Sequence, residues 1–145
     1  LDARLRAITA EAEPPPEKVL DAARAAFALR DLDAELAALV ADSAVDAPAV
    51  ITRAVVSDVR MLSFECGSVT VELDVESDPG THLLRLSGLA VGAIGEVVVV
   101  RSESRAAVEI SADGRFTAEG VEPGPMRLEL TSGDGRRVTT SWITL

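Results

Sequence analysis

The stretch Val69-Thr70-Val71-Glu72-Leu73-Asp74-Val75-Glu76 alternates apolar and polar residues without a break. Successive side chains of a strand point to opposite faces, so this order buries one face and wets the other. A helix would throw the same four apolar residues onto opposite sides of its barrel. The residues that follow extend the pattern. Asp78-Pro79-Gly80 supplies a turn, His82 to Leu89 a further strand, and Val97 to Val100 an apolar run suited to a central or doubly covered strand. Ala106, Val108 and Ile110 are expected to face inward, and Asp113-Gly114 after them is a strong hairpin signal. Phe116 and Ala118, then Met126, Leu128 and Leu130, flank the turn Glu122-Pro123-Gly124-Pro125. Gly133-Asp134-Gly135 closes a last hairpin into 136–145, where Val138, Thr140 and Trp142 share one face. Residues 58–145 therefore predict an all-β sandwich of about seven or eight strands, with turns about every ten residues.

The first 43 residues follow another period. Leu1, Leu5 and Ile8 fall on one side of a short helix, which Glu13-Pro14-Pro15-Pro16 ends. Pro16 suits the first turn of a second helix, and Glu17 complements the positive end of that helix. At about 100° per residue, Val19, Leu20, Ala23 and Phe27 share one face, while Leu29, Leu32, Leu36, Leu39 and Val40 share another about 200° away. Two readings stay open. The helix breaks near Arg30-Asp31, with Asp31 capping a third helix, or one helix grips apolar partners on both sides. Either way it needs more apolar surface than it carries, from the sheet or from a partner protein. Residues 44–57 read as a connector, too apolar at Val50-Ile51 and Val55-Val56 to be a freely solvated linker.

Charge and composition narrow the function. The 145 residues carry 14 Lys and Arg against 24 Asp and Glu, a formal charge of −10, which argues against a nucleic-acid partner. No run of about eighteen apolar residues offers a membrane span. One Cys and one His exclude an internal disulfide and most His/Cys metal sites. Asn, Gln and Tyr are absent and Lys18 is the sole lysine, a usage of a GC-rich genome rather than of a function. The unpaired Cys66 points to a reducing, cytoplasmic setting.

Each candidate site has a plain structural reading beside it. His82 would need a nucleophile and an orienting carboxylate to act as a base; otherwise it is a solvated strand-entry residue. Cys66 lies beside Glu65, whereas a reactive thiolate needs positive neighbours. Asp74, Glu76 and Asp78 have oxygen ligands suited to calcium, yet they also match the wet face of an antiparallel strand. Gly88, Gly92 and Gly95 lack the spacing of a phosphate loop and read as turn and bulge positions. No catalytic residue, cofactor or metal is expected.

The segment Pro14-Pro15-Pro16-Glu17-Lys18-Val19-Leu20-Asp21-Ala22-Ala23-Arg24-Ala25-Ala26-Phe27, continuing through Arg30-Asp31-Leu32-Asp33-Ala34-Glu35-Leu36-Ala37-Ala38-Leu39 to Asp42-Ser43, resembles the N-terminal signature of a group of small actinobacterial proteins. Those proteins are encoded beside extracytoplasmic-function sigma factors and often beside CHAT-domain proteases. Leu86-Ser87-Gly88, Gly114-Arg115-Phe116 and Val121-Glu122-Pro123-Gly124-Pro125 are similar to the carboxypeptidase-regulatory, prealbumin-like β-sandwich. The two together span residues 14–145. The resemblance implies an α+β chain: a helical segment (1–43), a connector (44–57) and a prealbumin/Ig-like sandwich (58–145). It implies a non-enzymatic, anti-sigma-like regulator. Its partner is a sigma factor of the extracytoplasmic-function type, bound through the N-terminal helices, with a CHAT-domain protease as a second candidate partner. The sandwich family is non-enzymatic, so no catalytic residue carries over. The His-x-x-x-Cys-x-x-Cys set of zinc-binding anti-sigma factors is absent, so release is expected by another route, such as cleavage between Ala47 and Val56.

The residues expected to contact the partner are Val19, Leu20, Ala23, Phe27, Leu32, Leu36, Leu39 and Val40. A secreted or surface β-sandwich that binds ligands through its loops is the alternative, and an enzyme built on His82 with Cys66 or a serine is the remote one.

Overall fold

A computed structural model describes residues 16–28, 34–46 and 59–145. The short helix read over Leu1, Leu5 and Ile8, most of the 44–57 connector, and the positions of Leu29 and Leu32 lie outside them. The chain divides into two units, Leu1–Arg30 and Asp31–Leu145.

The first unit contains helix α1 (Glu17–Ala28). It starts immediately after Pro16, whose carbonyl accepts the Val19 N–H at 2.8 Å. Proline lacks the N–H that the first turn leaves unused, and Glu17 sits where the helix dipole favours a negative charge, so the expected start is the observed one. Arg24 bridges to Asp21 at 3.0 Å, one turn back on the exposed surface.

The second unit is built from strands β1 (Glu35–Asp42), β2 (Val59–Cys66), β3 (Val69–Ser77), β4 (Leu84–Val91), β5 (Ala93–Arg101), β6 (Arg105–Glu109), β7 (Arg115–Val121), β8 (Pro125–Ser132), β9 (Arg137–Thr140) and β10 (Ile143–Thr144). One helical turn, α2 (Ser43–Asp46), follows β1. Nine strands form one continuous path, β6-β5-β8-β9-β1-β2-β3-β4-β7, and β10 pairs with β8. The sheet curls into a nearly closed, barrel-like wall, open where β6 and β7 end the path.

The period-two reading of β3 is correct in every residue. Val69, Val71, Leu73 and Val75 are buried, and Glu72, Asp74 and Glu76 are exposed. Phe64, Leu86, Phe116, Val97, Val99, Met126, Leu128 and Val138 complete one core inside the wall. β5 lies between β6 and β8, so its valine run is a central strand as expected. Ala106 is exposed rather than inward, while Val108 and Ile110 pack against the core's edge.

The largest departure from expectation is at β1. Residues 35–42, read as helix, are strand β1, so Leu36, Leu39 and Val40 do not lie on a helix face. Glu35 to Ala37 pair in parallel with β9, and Ala38 to Asp42 pair antiparallel with β2 across a bulge at Leu39–Ala41. Glu-Leu-Ala-Ala-Leu-Val-Ala favours helix locally, but β1 is the strand that joins the two halves of the wall. Ladder bonds on both edges and complete burial of Ala37 outweigh that preference of a few tenths of a kcal/mol per residue.

Two turns use one device, Ser-x-Asp-Gly-Arg, at 111–115 and 132–136. In the first, the Ser111 hydroxyl donates to Asp113 Oδ1 at 2.5 Å and accepts the Arg115 N–H at 3.1 Å. The Gly114 N–H closes the turn on the Ser111 carbonyl at 2.8 Å, with Gly114 at φ 84°. Ser132, Asp134 and Gly135 repeat the arrangement. The serine hydroxyl holds each aspartate below the usual carboxylate range, most of all by hydrogen bonding. The second turn closes the expected hairpin between β8 and β9. The first does not: β6 pairs with β5 and β7 with β4, so the Asp113-Gly114 turn carries the chain across the open seam.

Candidate functional site

Helix α1 presents Val19, Leu20, Ala23 and Phe27 along one face, and all four are exposed. Phe27 is 73% exposed, an unusual position for the largest apolar side chain on the helix. The remaining partner-contact residues are not on this helix. Leu36, Leu39 and Val40 belong to β1, where Leu36 pairs with Thr139 and Leu39 with Phe64, and Val40 is the bulged residue. Leu32 lies outside the described residues.

His82 sits in the turn between β3 and β4, exposed, with φ 57°, and its N–H donates to the Asp78 carbonyl at 3.0 Å. Asp78 Oδ1 accepts the Gly80 N–H at 2.7 Å. What the turn needs at position 82 is a residue tolerant of the left-handed region, as histidine is more than most. Replacing His82 by valine should cost about 1 kcal/mol, because a β-branched side chain fits that region poorly, whereas glycine should cost nothing measurable. Urea unfolding of both variants separates this backbone role from any chemical one.

Cys66, at the end of β2, is half-buried, and its Sγ lies 3.5 Å from Glu35 Oε2. Burial pushes the thiol up from its ordinary value, and the Glu35 carboxylate pushes further in the same direction. Arg136, which also pairs with Glu35, opposes this more weakly. Such a thiol carries less thiolate at neutral pH than a free cysteine, the reverse of what a nucleophile requires.

Gly92 and Gly95 have positive φ, at 78° and 81°, as turn and bulge glycines do. Gly88 does not. It faces Phe116 across the β4–β7 ladder, and its role is to leave space for that ring. Among the described residues, no group of three or more His, Cys, Asp or Glu is placed to hold a metal ion. No helix among them is long and apolar enough to cross a membrane.

Sequence reasoning missed a concavity on the sheet among the described residues. It lies on the outer face of β1, β2, β3, β4 and β7 and encloses about 580 Å³. Strand register builds it from two rows. One runs Ala41–Ser63–Glu72–Leu89–Arg115 from β1 to β7, and the other runs Met61–Asp74–Ser87 alongside. Ser43 of α2 forms one end, its Oγ accepting the Met61 N–H at 2.9 Å. Arg115 leans toward Asp113, 3.3 Å away. The side chains of Glu72 and Asp74, in the middle, have no hydrogen bond or ion pair among the described residues. The only sequence signal for this groove is the acidic side of β3, which any wet strand face shares.

Comparison with known proteins finds no matching family model, no matching curated protein and no matching solved structure.

Proposed function

We propose that this chain is a non-enzymatic regulatory protein that works by protein–protein contact, with α1 as the docking element and the β unit as a prealbumin/Ig-like sandwich scaffold. The observation that carries the reading is the exposed stripe Val19, Leu20, Ala23 and Phe27. Helices that present apolar residues at such spacing dock in grooves of partner proteins. Each large side chain so buried contributes roughly 1.5–3 kcal/mol before the costs of association. The partner is a sigma factor of the extracytoplasmic-function type, held in an anti-sigma-like complex in the cytoplasm. Proteolysis, by a CHAT-domain protease, releases it. Leu36, Leu39 and Val40 lie on strand β1 of the second unit rather than on a helix, but they are exposed and stay among the proposed contacts.

The test is a pull-down of the full chain against the extracytoplasmic-function sigma factor encoded nearest to its gene, with Phe27→Asp as the variant. Wild type should form a stoichiometric complex and Phe27→Asp none. At 73% exposure the substitution should change unfolding stability by less than about 0.5 kcal/mol. Absence of a wild-type complex, or a Phe27→Asp chain that unfolds, refutes the reading.

A further inference from the structure

Among the described residues, most arginines are already neutralised within the chain. Arg60 pairs with Asp42, Arg85 with Glu119, Arg101 with Glu122, Arg105 and Arg127 with Glu129, and Arg136 with Glu35 and Asp134. Glu72 and Asp74 have no such partner among the described residues, although both line the groove. Each is bracketed on its own row by apolar or small residues: Met61, at 59% exposure, beside Asp74, and Leu89 beside Glu72. The other charged residues of the lining are already matched, Asp42 by Arg60 and Arg115 by Asp113, so Glu72 and Asp74 make a surface that a cation flanked by aliphatic groups complements and that another acidic surface does not. A second copy of the chain, at −10, is repelled. The groove crosses five strands, about 19 Å at ~4.8 Å per strand spacing, the length of about six extended residues. Its volume falls within the range of preformed binding clefts.

The geometry points to a second interaction surface: the outer face of β2, β3 and β4 binds a protein segment that presents arginine or lysine between aliphatic side chains, with Glu72 and Asp74 receiving the cation. Ser63 and Ser87 leave room for its stem, and Met61 and Leu89 receive the neighbouring apolar groups. This surface is built entirely from residues of the second unit and does not depend on the docking of α1.

The full chain is titrated against a fluorescent twelve-residue peptide of alternating leucine and arginine, and against the same peptide with glutamate for arginine, at ~150 mM salt, where long-range attraction is screened. The arginine peptide should bind at least tenfold more tightly than the glutamate peptide. Glu72→Gln with Asp74→Asn should weaken it at least tenfold, and Ser87→Trp, which fills the groove, should do the same. Glu96→Gln with Glu109→Gln, which removes equal charge from paired positions on β5 and β6, should change it less than twofold. The proposal fails if wild type does not prefer the arginine peptide, if the two charge-removing pairs weaken binding equally, or if the folded Ser87→Trp chain binds as wild type does. Should Ser87→Trp not fold, Met61→Ala replaces it. A threefold loss then supports the groove, and unchanged binding overturns it.

Discussion

Gly88→Ala destabilises the folded chain by about 3 kcal/mol, a large effect for the addition of one methyl group. A Cβ built on Gly88 would meet Cζ, Cε1 and Cε2 of Phe116, all at 2.9 Å or less. The ring cannot yield easily. Phe116 is 3% exposed and belongs to the core cluster with Leu73 and Leu86, and its backbone is paired directly with Gly88. The glycine is bare so that the aromatic ring of the neighbouring strand can cover it, a pairing that also fixes register. Phe116→Ala alone should cost about 3–5 kcal/mol through lost burial and a residual cavity. Because the clash vanishes with the ring, Gly88→Ala with Phe116→Ala should cost clearly less than the sum of the two, measured by urea unfolding. Strict additivity would show that the ring is not what excludes a side chain at position 88.

Asp42→Ala has a comparable effect, about 3 kcal/mol, through charge rather than shape. Asp42 is buried at the end of β1, where Arg60 donates Nε to Oδ1 at 2.9 Å and Nη2 to Oδ2 at 2.6 Å. Arg60 Nη1 donates to the Thr144 carbonyl at 2.7 Å, and the Ala44 N–H reaches Asp42 Oδ1 at 3.0 Å. One carboxylate thus joins β1, α2, β2 and, through Arg60, the last residues of β10. Removing it leaves a guanidinium in a site only 29% exposed, and this uncompensated charge accounts for most of the loss. The paired Arg60 also holds the Asp42 carboxyl below its usual range, an effect larger than the opposing one of burial. The unfolded chain therefore binds a proton to this group at higher pH than the folded chain does. The resulting stability is fully present above the unfolded value, about 4, and is lost as pH falls through the lower folded value. The stability gap between wild type and Asp42→Asn should accordingly narrow below pH ~4. A gap that stays constant from neutral to acid pH would contradict the pairing.

What could be read from the chain beforehand divides along physical lines. The two faces of β3 and the start of α1 at Pro16 were legible, because alternation and first-turn chemistry are properties of adjacent residues. β1 was not legible. Its composition favours helix, and the partners that make it a strand lie at 62–65 and at 138–140, beyond any local window. The turn at Asp113-Gly114 was visible, but the choice of β4 and β5 as partners for its two arms was not, since one Ser-x-Asp-Gly-Arg loop serves both a hairpin and a crossing. The candidate sites divide in the same way. The α1 stripe is a helical period within twelve residues, whereas the groove is made by register across five strands, which set Met61 beside Asp74 and Leu89 beside Glu72.

The two-sided pairing of β1 also sets the order in which the protein comes together during synthesis. Its second half meets β2 as soon as residues 62–65 emerge, but Glu35, Leu36 and Ala37 must wait for Val138 to Thr140. At ribosomal speed those roughly 100 intervening residues take about 5–20 s. Throughout that interval the first half of β1 is a bare edge carrying Leu36. The closing stitch of the wall is β9, so a nascent chain that stalls before residue 138 holds nearly all its core residues yet leaves an open strand edge exposed to its neighbours.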